Sequence, residues 1–153
     1  MLRLSLYLLS IITLAYTQKV DITSTQMEAN ATKKEIVFLG SAKITQGDSW
    51  IVADRIVVYF NDDNKTKSYN AKGSVKFEFI QKKSHYKGRA KEVLYIPIKQ
   101  KYIIKGNAVI DDIANKREIK GNEIVLDMAT GNANVKGSRR RPVKFIFEVE
   151  SKR

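Results

Sequence analysis

The chain has 153 residues, of which 43% are hydrophobic and 29% are charged, and its formal net charge is +12. This length accommodates one domain with a hydrophobic core. Because the sequence contains no cysteine, it excludes a disulfide framework, a thiolate metal site and a cysteine nucleophile. The excess of positive charge favours a polyanion or an anionic surface as a partner.

The first 17 residues are typical of a cleaved secretory signal peptide. Arg3 provides a positive start, and residues 4–15 form an apolar run that polar residues follow from Thr17 onwards. This run is shorter than the ~20 residues that a membrane-spanning helix needs. The sequence therefore predicts export of a mature chain, residues 18–153, that forms a single domain.

A short pattern recurs four times along the mature chain. Each copy begins with a small residue, has an apolar residue three positions later, and reaches a glycine 16 or 20 positions after the small residue. The small residues are Ser24, Ala53, Ala90 and Gly121, and the glycines are Gly40, Gly73, Gly106 and Gly137. Each copy predicts a strand, a turn, a second strand, a glycine bulge and a third strand.

Residues 51–79 contain the clearest copy. Apolar residues alternate with polar ones on both sides of a polar turn at residues 61–65, which is the period of half-buried strands. No segment after residue 20 shows a sustained helical period, so the pattern predicts an all-β protein with a dozen or more short strands. So many strands must close, roll or pack as two sheets. Strands are also predicted at both ends of the mature chain, at residues 20–24 and 143–149, where they would be sheet edges open to pairing.

The residue types that carry catalysis are scarce. His85, the single histidine, is predicted to lie in a polar connection, and no cluster of His, Asp and Glu has the spacing of metal ligands. Asp111 and Asp112 are adjacent, so in a strand they point to opposite faces. We therefore expect no enzymatic activity and no cofactor. Nucleic acid would suit the charge, but the signal peptide and the alternating, core-like placement of the aromatic residues argue against it.

Several stretches together resemble a known family. They are residues 20–28 (VDITSTQME), 38–48 (FLGSAKITQGD), 51–59 (IVADRIVVY), 104–110 (IKGNAVI) and 119–124 (IKGNEI). With the signal peptide before them, they are similar to the LptA/OstA-like family of periplasmic lipopolysaccharide-transport bridge proteins. One departure is the charged run of residues 139–141 after Gly137, where the other copies continue with an apolar strand residue.

The resemblance implies a periplasmic antiparallel β-jellyroll that is V-shaped and open at both ends. Acyl chains of lipid A would lie in its apolar groove, since exposing them to water costs about 0.8 kcal/mol per methylene. The groove residues expected on this basis are Val20, Ile22, Met27, Phe38, Ile44, Ile56, Val58, Phe77, Phe79, Ile104, Ile110, Ile124, Leu126, Phe145 and Phe147. Lys65, Lys67, Lys82 and Lys83 are expected at a basic rim near the headgroups.

The resemblance also implies the partners. They are lipopolysaccharide or lipooligosaccharide, further copies of the chain joined head to tail, and inner-membrane and outer-membrane transport components with the same jellyroll. Two alternatives stay open. One is an inner-membrane-anchored sibling or assembly module of the same fold that binds protein partners, and the other is an exported polyanion-binding protein.

Overall fold

The computed structural model describes residues 19–151, so the predicted signal peptide lies outside the described part of the chain. Ten strands and one short 3-10 turn follow one another. The strands are β1 (Asp21–Thr23), β2 (Gln26–Asn30), β3 (Glu35–Gln46), β4 (Ser49–Phe60), β5 (Thr66–Gln81), β6 (Ser84–Ile96), β7 (Lys101–Asp112), β8 (Arg117–Asp127), β9 (Asn132–Lys136) and β10 (Lys144–Phe147). The 3-10 turn, Pro97–Lys99, joins β6 to β7.

All ten strands form one antiparallel sheet in which β3 to β8 pair in chain order. Strands β1 and β2 both pair with β3 at one edge, and β9 and β10 both pair with β8 at the other. The prediction of an all-β antiparallel fold is confirmed. The strands number ten rather than a dozen or more because each long strand runs through its bulge without a break.

Bulges divide every long strand near its middle. The register shifts between Leu39 and Ala42 in β3, and equivalent shifts recur in the pairs formed by the following strands. Three of the four glycines in the repeated pattern, Gly40, Gly73 and Gly106, have positive φ at these bulges. Glycine is suited to this backbone because it has no Cβ to clash in the left-handed region.

A side chain from the neighbouring strand, or from the link between β1 and β2, covers each of these three glycines where a Cβ would otherwise stand. The pairs are Thr25 over Gly40, Asp54 over Gly73 and Lys91 over Gly106. Gly137 differs, because it lies in the loop between β9 and β10 and its neighbours are backbone atoms of residues 141–143. The charged run at residues 139–141 therefore occupies a loop at the position where the other copies have a bulge.

The bulges lie side by side and form a crease that divides the sheet into two layers. The first layer contains β2, β9, the first halves of β3, β5 and β7, and the second halves of β4, β6 and β8. The second layer contains β1, β10 and the other halves. The inner faces of both layers contribute to one hydrophobic core.

Residues of the repeated pattern form two rows on the inner faces of the sheet, one on each side of the crease. In the first layer, directly paired residues form the row Met27, Phe38, Ile56, Ala71, Val93, Ile104, Ile124 and Val135. In the second layer, the corresponding positions are Ala42, Ala53, Val75, Ala90, Ala108 and Gly121, all buried. The second row consists of small residues because the layers are closest where they meet at the crease.

Two smaller expectations have different outcomes. His85 lies within strand β6 and not in a connection, because Ser84 already pairs with Gln81 across a tight turn. Strands are present at both ends of the described chain, as predicted. Within residues 19–151, no helix has the length and apolar character to cross a membrane.

Candidate functional site

The layers open away from the crease, and a cleft lies between their inner faces at this mouth. Its lining combines Ile44, Ile51 and Phe79 of the second layer with three tyrosines of the first layer. The tyrosines are Tyr69, Tyr95 and Tyr102, which pair directly with one another across β5, β6 and β7. The volume of the cleft, including space open to solvent, is about 380 Å³. Gln46, Ser49 and Trp50 of the second layer also line it. The cleft is therefore mainly apolar on one wall and aromatic with polar tips on the other.

A continuous aromatic stack crosses from one layer to the other. The Tyr69 and Tyr95 ring centroids are 6.0 Å apart, and those of Tyr95 and Tyr102 are 4.3 Å apart. Tyr102 then stacks at 4.1 Å on Phe79, which stacks at 4.6 Å on Phe77. Because Phe79 belongs to the second layer, its contact with Tyr102 joins the two layers and limits the depth of the cleft.

Gly88 makes room for the innermost ring of this stack. It pairs directly with Phe77 across β5 and β6, and a Cβ at Gly88 would overlap the Phe77 ring and the carbonyl oxygen of Val109. Phe77 is 1% exposed. An aromatic ring that covers a strand glycine restores the packing that the glycine itself lacks.

Most of the residues predicted to line a groove lie in the hydrophobic core. These are Phe38, Ile44, Ile56, Val58, Phe77, Phe79, Ile104, Ile110, Ile124 and Leu126, and Ile22 packs against them at the edge. Val20, Met27, Phe145 and Phe147 are instead exposed in the isolated chain. They lie on or beside edge strands, so no neighbouring strand covers them. Contact of any of these residues with lipid stays a prediction.

The four predicted rim lysines lie at different places. Lys82 and Lys83 occupy the turn between β5 and β6 and line the opening that this turn forms with Gln100 and Met128 of the other layer. Lys65 lies in the exposed turn between β4 and β5, and Lys67 lies in β5. The structure thus places two of the four lysines across the mouth from the opposite layer. Their interaction with headgroups stays a prediction.

The outer face of the second layer carries much of the charge. One outward-facing row contains Lys43, Lys76, Arg89, Lys120 and Lys144. The adjacent row contains Glu78 and Glu118, which pair with Lys87 at 3.2 Å and Lys120 at 3.3 Å. The basic residues are therefore separated from the apolar interior by the thickness of the sheet.

Asp111 and Asp112 point to opposite faces of β7. On the outer face, Asp111 lies opposite Glu118, and burial together with this second carboxyl group raises the pKa of Asp111. On the inner face, Asp112 is 3% exposed and accepts a hydrogen bond of 2.6 Å from Nη2 of Arg117. Burial favours a higher pKa for Asp112, but the hydrogen bonds from Arg117 and Asn115 outweigh it, and the pKa is lowered.

This ion pair predicts a pH-dependent contribution to stability. A carboxyl group whose pKa is lower in the folded state stabilises the fold above its unfolded value of about 3.9, and this contribution is lost as the pH falls through the folded pKa. At pH 7 we expect Asp112→Asn to lower the free energy of unfolding by about 1–3 kcal/mol. Urea titrations at several pH values should show this difference shrinking below about pH 4. A difference that persists unchanged at pH 2.5 would contradict the assignment.

Gly88 and the tyrosine row were not predicted as site residues. Ile36, Tyr69 and Tyr102 each precede a bulge glycine by four positions. Alignment of the copies on their glycines would therefore have placed these three residues in one row. Gly88 carries no such signal, because its role depends on a ring from the neighbouring strand.

The creased sheet, its apolar interior and its two unpaired edges define an open β-jellyroll protein with an interlayer groove. Within residues 19–151, no group of three or more His, Asp and Glu side chains could hold a metal ion. The family model that matches this chain, over residues 21–132, is described as LptA/(LptD N-terminal domain) LPS transport protein. Since the match covers more than half of the sequence, the chain belongs to that family.

A solved structure has a similar fold. The chain is similar to LptH from Pseudomonas aeruginosa, described as the LptA homologous periplasmic component of the conserved lipopolysaccharide transport device. The TM-score is 0.75 and the identity 14%, over 86% of this chain and 96% of LptH. At that identity the likeness shows the fold alone. Among curated protein sequences, none matches the chain.

Proposed function

We propose that this protein carries lipopolysaccharide through the periplasm, with the acyl chains of lipid A between its two layers. Membership of a lipopolysaccharide-transport family supports the substrate class. The observation that carries the proposal is the apolar interior, which both layers share and which extends from one unpaired sheet edge to the other. Such an interior shields acyl chains from water, while the outward and turn lysines remain available to phosphates.

The layers must separate to accept several chains. Water-sized molecules can occupy only about 40 Å³ of the cleft, well below the range of about 300–1,000 Å³ for small-molecule sites. The contact between Phe79 and Tyr102 separates the cleft from the rest of the apolar interior. We therefore propose that acyl chains displace this contact and lie against the rows beyond it, and that Lys82 and Lys83 lie near the headgroup.

Copies of the chain would join head to tail through their edges. The segment β9–β10 runs from the first layer to the second, whereas β1–β2 runs from the second to the first. When β9–β10 of one copy lies beside β1–β2 of the next, the strands are antiparallel, like every other pair in the sheet. The inner rows then continue across the junction, with Val135 beside Met27 and Phe145 beside Ile22. Transport components with the same jellyroll at either membrane would use the same edges.

Photo-crosslinking tests the groove directly. A photoreactive amino acid at Ile22, which is partly buried beside the core, should capture lipopolysaccharide in the periplasm. The same amino acid at Lys72, which is exposed on the outer face of β5, should capture little or none. Adducts are detected by the shift of the protein band and by antibody to the lipid. Equal capture at both positions, or none at Ile22, would overturn the proposal.

A further inference from the structure

We propose that the hydroxyl groups of Tyr69, Tyr95 and Tyr102 form a polar subsite that binds the oxygen atoms where acyl chains join the lipid headgroup. The inference rests on the proposed function and specifies which part of the lipid the mouth of the cleft recognises. The ligand chemistry is that of ester and amide carbonyls and chain hydroxyls. These groups lie at the boundary between an apolar tail and a polar head.

The geometry brings the three tyrosines together. They occupy one inner row, in which Tyr69 pairs with Tyr95 and Tyr95 pairs with Tyr102. All three line the cleft at its mouth, opposite Ile44 and Ile51. Their neighbours in the same row are apolar, with Val58 on one side and Leu126 on the other. A cleft lined mainly by apolar groups with a few convergent polar ones is the usual form of a small-molecule site.

The hydroxyl groups are unused by the protein. In the described part of the chain, no hydrogen bond joins any of the three hydroxyls to a protein group. Their oxygens are not fully buried, because His85 Nε2 is the one fully buried side-chain polar atom without a partner among the described residues. A tyrosine in an apolar setting usually pairs its hydroxyl with another group. Three unpaired hydroxyls in one row therefore point to a ligand.

The hydroxyls are hydrogen-bond donors under physiological conditions. Burial, and then the neighbouring tyrosine, raise the pKa of Tyr95 and Tyr102 above the ordinary value for a phenol. These two side chains are therefore neutral, and a tyrosine hydroxyl can donate to a carbonyl oxygen or accept from a chain hydroxyl. Lysines at this position would bind a phosphate strongly and hold it in place, whereas neutral donors bind more weakly and permit transfer.

The experiment measures how one variant changes the affinity for each of two ligands. Tyr69→Phe, Tyr95→Phe and Tyr102→Phe are combined in the full-length mature protein, which retains the rings and their stacking and removes only the oxygens. The matched control is Tyr59→Phe, whose side chain faces outward from β4 beside Glu35. The probes are lipid A and diphenylhexatriene, an apolar fluorophore with no oxygen atom. Affinities are measured by fluorescence, with lipid A as competitor for the probe.

We expect the triple variant to bind lipid A at least about fivefold more weakly, as the loss of one or more hydrogen bonds predicts, and to bind diphenylhexatriene as tightly as the wild type. Thermal stability should stay equal or rise, because unpaired hydroxyls are removed from a largely apolar site. Unchanged lipid A affinity, or an equal loss for both probes, would overturn the subsite and leave the carrier proposal intact. If the wild type bound diphenylhexatriene but no lipid A, both proposals would fail.

Discussion

Replacement of Phe145 and Phe147 with aspartate is expected to convert head-to-tail oligomers into folded monomers. The two rings are 50% and 56% exposed in the isolated chain, and each would be covered by the next copy. Burial of the exposed half of a phenylalanine contributes about 1 kcal/mol, so two contribute about 2 kcal/mol. A buried aspartate adds a desolvation cost. Since about 1.4 kcal/mol corresponds to a tenfold change, self-association should weaken by at least about thirtyfold.

The matched control for assembly is Ile98→Asp. Ile98 is an exposed apolar residue in a turn, outside both edges, so its replacement tests whether any new charge disperses the oligomers. Multi-angle light scattering across a concentration series measures the association, and the far-ultraviolet circular dichroism spectrum reports whether the fold is retained. Oligomers of unchanged size in the double aspartate variant, with the fold intact, would exclude β10 from the junction.

Gly88→Ala is expected to be among the most destabilising single substitutions in the chain. The added Cβ would overlap both the Phe77 ring and the backbone carbonyl of Val109. Overpacking of this kind costs about 1–3 kcal/mol, and the carbonyl cannot move away without disturbing the pairing of β6 with β7. Urea denaturation should show a lower midpoint with an unchanged slope. The apolar interior would lose its shape together with its stability, because Phe77 belongs to the aromatic stack.

A change of background separates the causes of that loss. Gly88 does not have a positive φ, so the cost comes from the contacts of the added Cβ and not from the backbone conformation. Phe77→Leu removes the ring but not the carbonyl, so Gly88→Ala should cost less in a Phe77→Leu background than in the wild type. If Gly88→Ala lowered the free energy of unfolding equally in both backgrounds, the Phe77 ring would not be what opposes a Cβ at position 88.

The groove and assembly proposals share a physical basis. A sheet with two unpaired edges exposes both backbone hydrogen-bonding groups and the inner-face side chains of its terminal strands. Met27 at one edge is 59% exposed, and Phe145 and Phe147 at the other edge are similarly exposed. Pairing of the edges would satisfy the backbone and continue the apolar interior from one copy to the next. One contact surface would thus serve both association and the passage of lipid.

The sequence by itself determined the class of the fold and the rows beside the crease. Alternation and the spacing of glycines are local properties. Successive side chains of a strand point to opposite faces, and a bulge requires a residue that tolerates positive φ. Residues such as Phe38, Ile56, Ile104 and Ile124 could therefore be assigned to the interior before their partners were known. All four are in the core. The repeated small residues likewise correspond to the crease.

Only the tertiary structure decided which side chains meet across the layers and which lack a neighbour. The stacking of Phe79 on Tyr102 joins residues from β5 and β7 in opposite layers, and the position of Gly88 under Phe77 depends on pairing between strands. Phe145 and Phe77 have the same local pattern, yet one is half exposed and the other is buried. Burial depends on the strands that lie on either side of a residue, and that arrangement is a property of the whole sheet rather than of any one segment.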